Sequence, residues 1–184
     1  MGKFVSRAGE KLEFALSEFE VSVDGLVCAD FGSSTGGFVD CLLQNGAARV
    51  YAVEVGYGTL DWNLRNDKRV VVLERTNAIH VELPEKVDLI TIDVGWTKQE
   101  KILPNAFKNL KEDGLIISLI KPHYEADEKY LRKGKLVDEK VEEVVDMVKA
   151  DIKRVGGVVE KITESPILGE KGRNREFLAL IIPS

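Results

Sequence analysis

Asp30-Phe31-Gly32-Ser33-Ser34-Thr35-Gly36-Gly37-Phe38 is the stretch on which the reading of this chain turns. It grows out of a short apolar run, Leu26-Val27-Cys28-Ala29-Asp30-Phe31, that has the pattern of a buried strand. It leads into a helical pattern from about Thr35 to Gln44, stopped by Asn45-Gly46. Glycines at such a turn let the backbone approach a ligand closely, and the helix start offers free N–H groups. Three ligand readings compete. A P-loop needs G-x-x-x-x-G-K-S/T; Gly32 and Gly37 have that spacing, but Phe38-Val39 stand where the lysine and hydroxyl belong. No side chain is left for a γ-phosphate or magnesium, so that reading fails. A dinucleotide fingerprint needs G-x-G-x-x-G, whereas Ser33-Ser34 fill the tight part of this turn. The loop is polar and slightly longer, which suits an amino-acid moiety better than a pyrophosphate. That points to S-adenosylmethionine, with Asp30, Gly32, Ser33, Ser34, Thr35, Gly36, Gly37 and Phe38 as candidate binding residues.

Working outward, Val50 to Glu54 reads as a second strand and Val70 to Leu73 as a third. Glu54 ends the second strand about 20 residues past the glycine turn, where an acid can hold both hydroxyls of a ribose. Either a dinucleotide or S-adenosylmethionine would use it so. Asn77, after the third strand, can donate to and accept from an adenine edge. Val87 to Asp93 is a fourth strand and Leu115 to Ile120 a fifth. Between them lies a helical stretch around 98–111, in which Pro104 marks a break or a first-turn position. Upstream, Leu12, Ala15, Leu16 and Phe19 give a helix over 7–20 with Ser6 as its N-cap. Downstream, 121–137 is a charged connection of low apolar content. A helix capped by Asp138 follows, carrying Val141, Val144, Val145, Val148, Ile152 and Val155 on one face. Two β-like runs, 157–163 and 177–182, have no helix between them and should pair antiparallel. The expectation is an α/β, Rossmann-like sheet of seven strands with the last antiparallel and helices on both faces. Its ligands bind beyond the carboxyl ends of the strands, near the switch in strand order.

The bulk numbers fit one domain over residues 1–184, with 1–24 as an N-terminal helical extension. Hydrophobic residues make up 44% and charged residues 31%. No apolar run approaches the roughly 20 residues needed to span a bilayer, and no signal-peptide core follows Met1. A cytoplasmic protein that does not engage membranes is expected. Cys28 and Cys41 form no C-x-x-C, and His80 and His123 are too few for a metal site, so no metal is assigned. The formal net charge of −5 counts against a dedicated nucleic-acid module. An acidic enzyme can still touch RNA through local basic patches.

Further blocks sharpen the reading. Ser6-Arg7-Ala8-Gly9-Glu10-Lys11-Leu12 resembles the S-R-x-x-x-K-L opening of FtsJ-like RNA 2′-O-methyltransferases, and in particular their TlyA-type branch, often labelled hemolysin. The glycine turn resembles that branch's D-x-G-A-S-T-G-G-F. Val53-Glu54-Val55-Gly56-Tyr57-Gly58, Leu64-Arg65-Asn66-Asp67 and Val72-Leu73-Glu74-Arg75-Thr76-Asn77-Ala78 are similar to its V-D-V-G-Y-G, L-R-N-D and V-L-E-R-T-N-A. The likeness runs from about Lys3 to Ile182. It implies the seven-stranded methyltransferase fold, S-adenosylmethionine as donor, and RNA, in particular ribosomal RNA, as acceptor. By matching motifs it also implies a catalytic set of Lys11, Asp93, Lys121 and Glu176, with Asp93 also touching the donor.

The departures concern the acceptor side. The branch's D-x-S-F is Asp93-Val94-Gly95-Trp96 here, its K-P-Q-F-E is Lys121-Pro122-His123-Tyr124-Glu125, and Gly172-Arg173-Asn174-Arg175 replaces its Gly-Asn before the last Glu. The branch usually carries a small RNA-binding domain before the S-R motif. This chain starts almost at that motif, so a partner protein that supplies RNA affinity is an expectation.

Lys121 and Asp93 end neighbouring strands, and Lys11 lies one turn before Ala15 on the apolar side of its helix. The expected roles are Lys121 as general base with its pKa lowered by burial and by Lys11, Asp93 and Glu176 as orienting groups, and Lys11 positioning the ribose. For RNA contact, Arg7, the stretch around Arg132 and Lys133, and the basic turn Lys171 to Arg175 with Arg173 and Arg175 are candidates, with Trp96 and Tyr124 to stack a base. Alternatives are a methyltransferase acting on a small molecule or protein and a non-catalytic ribosome-binding protein. A cytolysin is disfavoured, because no strongly amphipathic cationic helix is visible.

Overall fold

The computed structural model describes residues 2–170 and 172–184; Lys171 of the basic turn lies outside them. Helix α1 (Ala8–Phe19) is followed by β1 (Val27–Phe31), α2 (Gly37–Gln44), β2 (Arg49–Val53), the short α3 (Trp62–Arg65) and β3 (Val70–Leu73). Then come β4 (Val87–Ile92), α4 (Gln99–Asn109), β5 (Leu110–Ile120) and the single turn α5 (Pro122–Glu125). A small hairpin, β6 (Leu131–Arg132) and β7 (Lys135–Leu136), precedes α6 (Val141–Arg154), β8 (Gly157–Glu164) and β9 (Phe177–Pro183). The main sheet has seven strands in the order β3-β2-β1-β4-β5-β9-β8, with β9 antiparallel to both neighbours. Strand order reverses between β1 and β4, which puts the switch point beside the glycine turn.

Period-two alternation sorts the side chains between two cores. Ala29, Phe31, Ile90 and Ile92 face a cluster built with Ile102 of α4 and Val144 and Val148 of α6. Cys28 and Leu89 face the opposite cluster, built with Leu12 and Ala15 of α1 and Val39 and Leu42 of α2. Helices therefore cover both faces. No helix among the described residues is long and apolar enough to cross a membrane.

Several local expectations are corrected. Ser6 does not cap α1; that helix starts at Ala8 with no side-chain cap, and the Ser6 carbonyl accepts from Gly9 N at 3.1 Å. The Ser6 hydroxyl instead packs against Gly37 at the start of α2. Helix α2 itself begins at Gly37 and not Thr35, because Gly36 takes a left-handed φ of 101° just before it. Pro104 breaks nothing: α4 runs through it, and only the bond to the Glu100 carbonyl is forfeited. Asp138 does not cap α6; it opens a 3₁₀ turn ahead of the helix and pairs with Lys135 at 3.8 Å. The connection 121–137 is not plain loop, since it holds α5 and the hairpin.

Two register facts place the site. Phe31 pairs with Ile92, so Gly32 and Asp93 leave the sheet side by side, and Asp93 N donates to Phe31 O at 3.0 Å. Ile120 pairs with Phe177 in the antiparallel ladder, so Lys121 leaves β5 opposite Glu176 entering β9. That juxtaposition spans 55 residues of chain by difference of the two residue numbers.

Candidate active site

A cavity of about 380 Å³ opens at the carboxyl ends of β1, β2 and β4, within the size range of small-molecule sites. Asp30, Gly32, Ser33, Ser34, Thr35, Gly37, Phe38, Glu54, Asn77 and Asp93 line it; Gly36 does not. Gly32 has φ +88°, and a Cβ there would lie 2.5 Å from the Asp93 carbonyl oxygen. Only glycine lets β1 and β4 close so tightly at this point. Gly36 serves the loop from behind, where a Cβ would run into the side chains of Leu60 and Leu64.

Ser34 also sits at positive φ, 48°. Its amide donates to Glu54 Oε2 at 2.9 Å, and Gly56 N donates to Glu54 Oε1 at 2.8 Å. Glu54 thus braces the glycine turn and the loop after β2, and its remaining lone pairs face the cavity. Asn77 Oδ1 accepts from Ile79 N at 3.0 Å, which leaves its amide NH₂ as the group to offer a ligand. Asp30 is buried, and its Oδ1 accepts from Thr91 Oγ1 at 2.7 Å. Burial first, then the Asp93 and Glu54 charges, push its pKa up to about 8 against the Thr91 bond, so it holds a proton at neutral pH. Gly32→Ala is expected to weaken binding of S-adenosylmethionine by at least about tenfold, from a left-handed penalty of about 1–2 kcal/mol plus the backbone clash. Isothermal titration checks this.

A second cavity of about 470 Å³ adjoins the first. Lys11, Glu176, His123 and Tyr124 line only the second; Asp93, Lys121, Ser6, Ser34 and Thr35 line both. At the junction Lys121 Nζ pairs with Asp93 Oδ1 at 2.5 Å and donates to Val94 O at 3.3 Å. Lys11 Nζ pairs with Glu176 Oε2 at 2.5 Å, with side chains only 7% and 5% exposed. The four charged side chains expected to converge do converge. One expectation about them is overturned. Burial does pull the Lys121 pKa down, but Asp93, and after it Glu176, push it up by more. The net is a rise above the ordinary lysine value, because both carboxylates favour the ammonium.

Residues 4–181 of the chain, which build this seven-stranded sheet and both cavities, match the FtsJ-like methyltransferase family model. The chain belongs to that family. Hemolysin A of Brachyspira hyodysenteriae is 43% identical over 98% of this chain and 77% of its own length. The 16S/23S rRNA (cytidine-2′-O)-methyltransferase TlyA of Mycobacterium tuberculosis is 38% identical over 96% of this chain and 68% of its own. A solved structure from Streptococcus thermophilus, named as a candidate hemolysin, superposes with a TM-score of 0.95 at 38% identity, over 100% of this chain and 68% of that one. An S-adenosylmethionine-dependent methyltransferase from Mesorhizobium loti shares the fold alone, with TM-score 0.69 at 17% identity over 96% of this chain and 99% of that one. The donor of this FtsJ-like methyltransferase is S-adenosylmethionine, and the first cavity fits it in volume and in its polar, glycine-lined turn.

Around the second cavity of the methyltransferase, the other expected residues are sorted by contact. Arg7 and Tyr124 line it. Trp96 is 81% exposed at φ +60° and stacks on Tyr124 with ring centroids 4.4 Å apart, so it stands at the rim. Arg132 and Lys133 are exposed on the β6–β7 hairpin, outside the lining. Arg173 is exposed at φ +48°. Arg175 is different: it makes a forked pair with Glu164 at 2.8 and 2.7 Å and meets Glu142 at 3.0 Å. Both carboxylates raise its pKa and engage its Nε and Nη2 donors. The expectation of an RNA contact at Arg175 is therefore corrected to a structural tie. Arg173→Ala is expected to weaken RNA binding a few-fold and flatten its salt dependence, whereas Arg175→Ala leaves both within about twofold. Filter binding across a salt series separates the two.

The sequence reading missed Ser6, which lines both cavities, and Asn174. Asn174 is buried; its Oδ1 accepts from Leu136 N at 3.0 Å and its Nδ2 donates to Gly134 O at 3.1 Å. It fastens the hairpin to the segment that carries Glu176. Its signal was present in Gly172-Arg173-Asn174-Arg175-Glu176, read only as a departure from the family pattern.

Proposed function

We propose that this methyltransferase moves a methyl group from S-adenosylmethionine to a ribose 2′-hydroxyl of RNA, with ribosomal RNA as the substrate. The observation that carries the reading is the shared Lys121–Asp93 pair at the junction of a donor-sized cavity and a second, charged one. A relative whose name states cytidine-2′-O methylation of ribosomal RNA, 38% identical over nearly the whole chain, supports the choice of acceptor.

When bound, S-adenosylmethionine supplies a sulfonium methyl whose transfer to a hydroxyl oxygen leaves a neutral thioether and releases one proton. The residues then have divided tasks. The glycine turn and Glu54 hold the donor, and Asp93 touches both compartments. Lys121, in its neutral form, takes the proton of the hydroxyl that lies against the junction. Asp93 orients the Lys121 amine. Glu176 holds Lys11, whose ammonium positions the ribose from the far wall. Most of the acceleration comes from aligning the oxygen with the methyl group, which positioning by these fixed side chains provides. Arg7, Arg132, Lys133 and Arg173 supply phosphate contacts, and Trp96 with Tyr124 a stacking surface for the target base.

The test is incubation with radiolabelled donor and unmodified ribosomal RNA, free and in subunits, followed by mapping of the methylated positions. Label at ribose 2′ oxygens is the expected result. Label on a base, or on protein or small molecules in place of RNA, would sink the proposal.

A further inference from the structure

The blocks Val53–Gly58, Leu64–Asp67 and Val72–Ala78 are more than the donor cavity uses, and they meet at one surface. Glu74 Oε1 accepts from Gly58 N at 2.8 Å and pairs with Arg65 of α3. It thereby fastens the loop after β2, the turn after β3 and α3 into one rim. Three large hydrophobic side chains stand out of that rim: Val55 65%, Tyr57 71% and Trp62 73% exposed. The Arg75 guanidinium lies 4.5 Å over the Tyr57 ring. Arg75 itself is held at φ +53°, a conformation few non-glycine residues adopt, with its N–H bonded to Gly56 O at 3.0 Å.

Charge decides what such a rim fits. Its carboxylates are engaged within the protein: Glu54 and Glu74 by backbone amides, and Asp61 by Asn63 N at 2.8 Å. Among the described residues, Arg75 makes no ion pair with a carboxylate, and it is exposed. The rim therefore presents an unpaired guanidinium beside exposed aromatic faces. An aromatic surface with a guanidinium stacked on it is an arrangement that takes unpaired nucleobases and their phosphates. Continuity with the donor cavity, which Val55 lines, favours the acceptor nucleic acid over a protein partner as the occupant.

We propose that Tyr57, Trp62 and Arg75 form a second RNA-contact surface, which stacks an unpaired base flanking the target and binds its phosphate. The inference rests on the reading of RNA as acceptor. Position supports it: Val55 lines the donor cavity, so the rim lies across that cavity from the Lys11–Glu176 pair. From β2 to β5 the sheet crosses three strand spacings, about 14–15 Å. A single strand entering the second cavity reaches the rim with its neighbouring nucleotides.

The experiment measures binding of unmodified ribosomal RNA transcripts, methyl transfer to them, and donor binding by titration, for wild type, Tyr57→Ala, Tyr57→Phe, Trp62→Ala and Arg75→Ala. Tyr57→Ala is expected to raise the RNA dissociation constant and KM about tenfold, with kcat and donor affinity within about twofold of wild type. Tyr57→Phe keeps the ring and should restore wild-type affinity. Arg75→Ala should lower the slope of log affinity against log salt by about 0.7–0.9. RNA affinity of Tyr57→Ala and Arg75→Ala within twofold of wild type overturns the rim, and so does a wild type that binds no RNA. A wild type that binds RNA through these residues yet places no methyl on it overturns the acceptor reading and leaves the rim standing.

Discussion

Lys121→Ala should reduce RNA methylation by about 10²–10⁴-fold, the range a general base supplies, while S-adenosylmethionine still binds. The side chain stands at the junction of the two cavities, and the glycine turn and Glu54 that brace the donor side do not contact it through any hydrogen bond or ion pair. Lys121→Arg is the sharper variant. Arginine keeps the charge and can keep the Asp93 pair, but it does not deprotonate in proteins. A dead Lys121→Arg enzyme with intact donor binding identifies proton removal as the task. An active one reduces Lys121 to a fixed positive charge.

The pH profile gives a second, independent check. In the resting pocket the Lys121 pKa lies above that of an ordinary lysine: burial lowers it, and Asp93 and Glu176 outweigh burial. At pH 7 nearly all of it is therefore ammonium, and the neutral fraction grows tenfold with each pH unit until that pKa is reached. If the neutral amine takes the proton, log kcat/KM rises with unit slope from pH 6 through 9. Asp93→Asn removes the partner that raises the pKa most, so it should move the plateau to lower pH even as the lost orientation lowers its height. A wild-type rate flat between pH 6 and 9 would remove the base role.

The two halves of this site differ in how far they were legible beforehand, and the difference is one of sequence distance. Gly32 to Gly37, Glu54 and Asp93 all sit where a strand ends, so reading the strands was enough to place them on one edge of the sheet. Strand β3 was readable to the residue, Val70–Leu73, because its four apolar positions are bounded by charge on both sides. Helix ends were less so: the start of α1 depended on whether the Ser6 hydroxyl turned to its own helix or to Gly37, a choice made by α2. The partnership of Lys11 with Glu176 joins residues 165 apart and depends on α1 packing against one face of the sheet while β9 inserts beside β5. Motif likeness supplied that pairing; periodicity alone did not. The direction of the Lys121 shift was misread because it turns on a 2.5 Å separation, which no motif encodes. Arg175 was misread for a similar reason. Its sequence neighbours are basic, but folding brings Glu164 from β8 and Glu142 from α6 onto it.

Glu176→Ala is expected to cost both stability and activity, and a companion variant separates the two. Lys11 and Glu176 are buried together, and removal of one partner leaves the other charge without compensation, a loss of about 3–5 kcal/mol in comparable pairs. For a domain of this size each kcal/mol is worth about 2–4 °C, so the melting temperature should fall by roughly 6–20 °C. Lys11→Ala should fall similarly, with Glu176 now the stranded charge. The double variant Lys11→Met with Glu176→Met fills the same space without any charge to desolvate, and buried pairs replaced in this way are often as stable as the original. Its melting temperature should return to within a few degrees of wild type while methylation stays absent. That split is the decisive reading. A well-folded, inactive double variant shows that the pair exists for the ribose, since it contributes nothing to folding that two methionines do not. A double variant that regains activity together with stability would make the Lys11–Glu176 pair a packing device, and the chemistry would then rest on Lys121 and Asp93 alone.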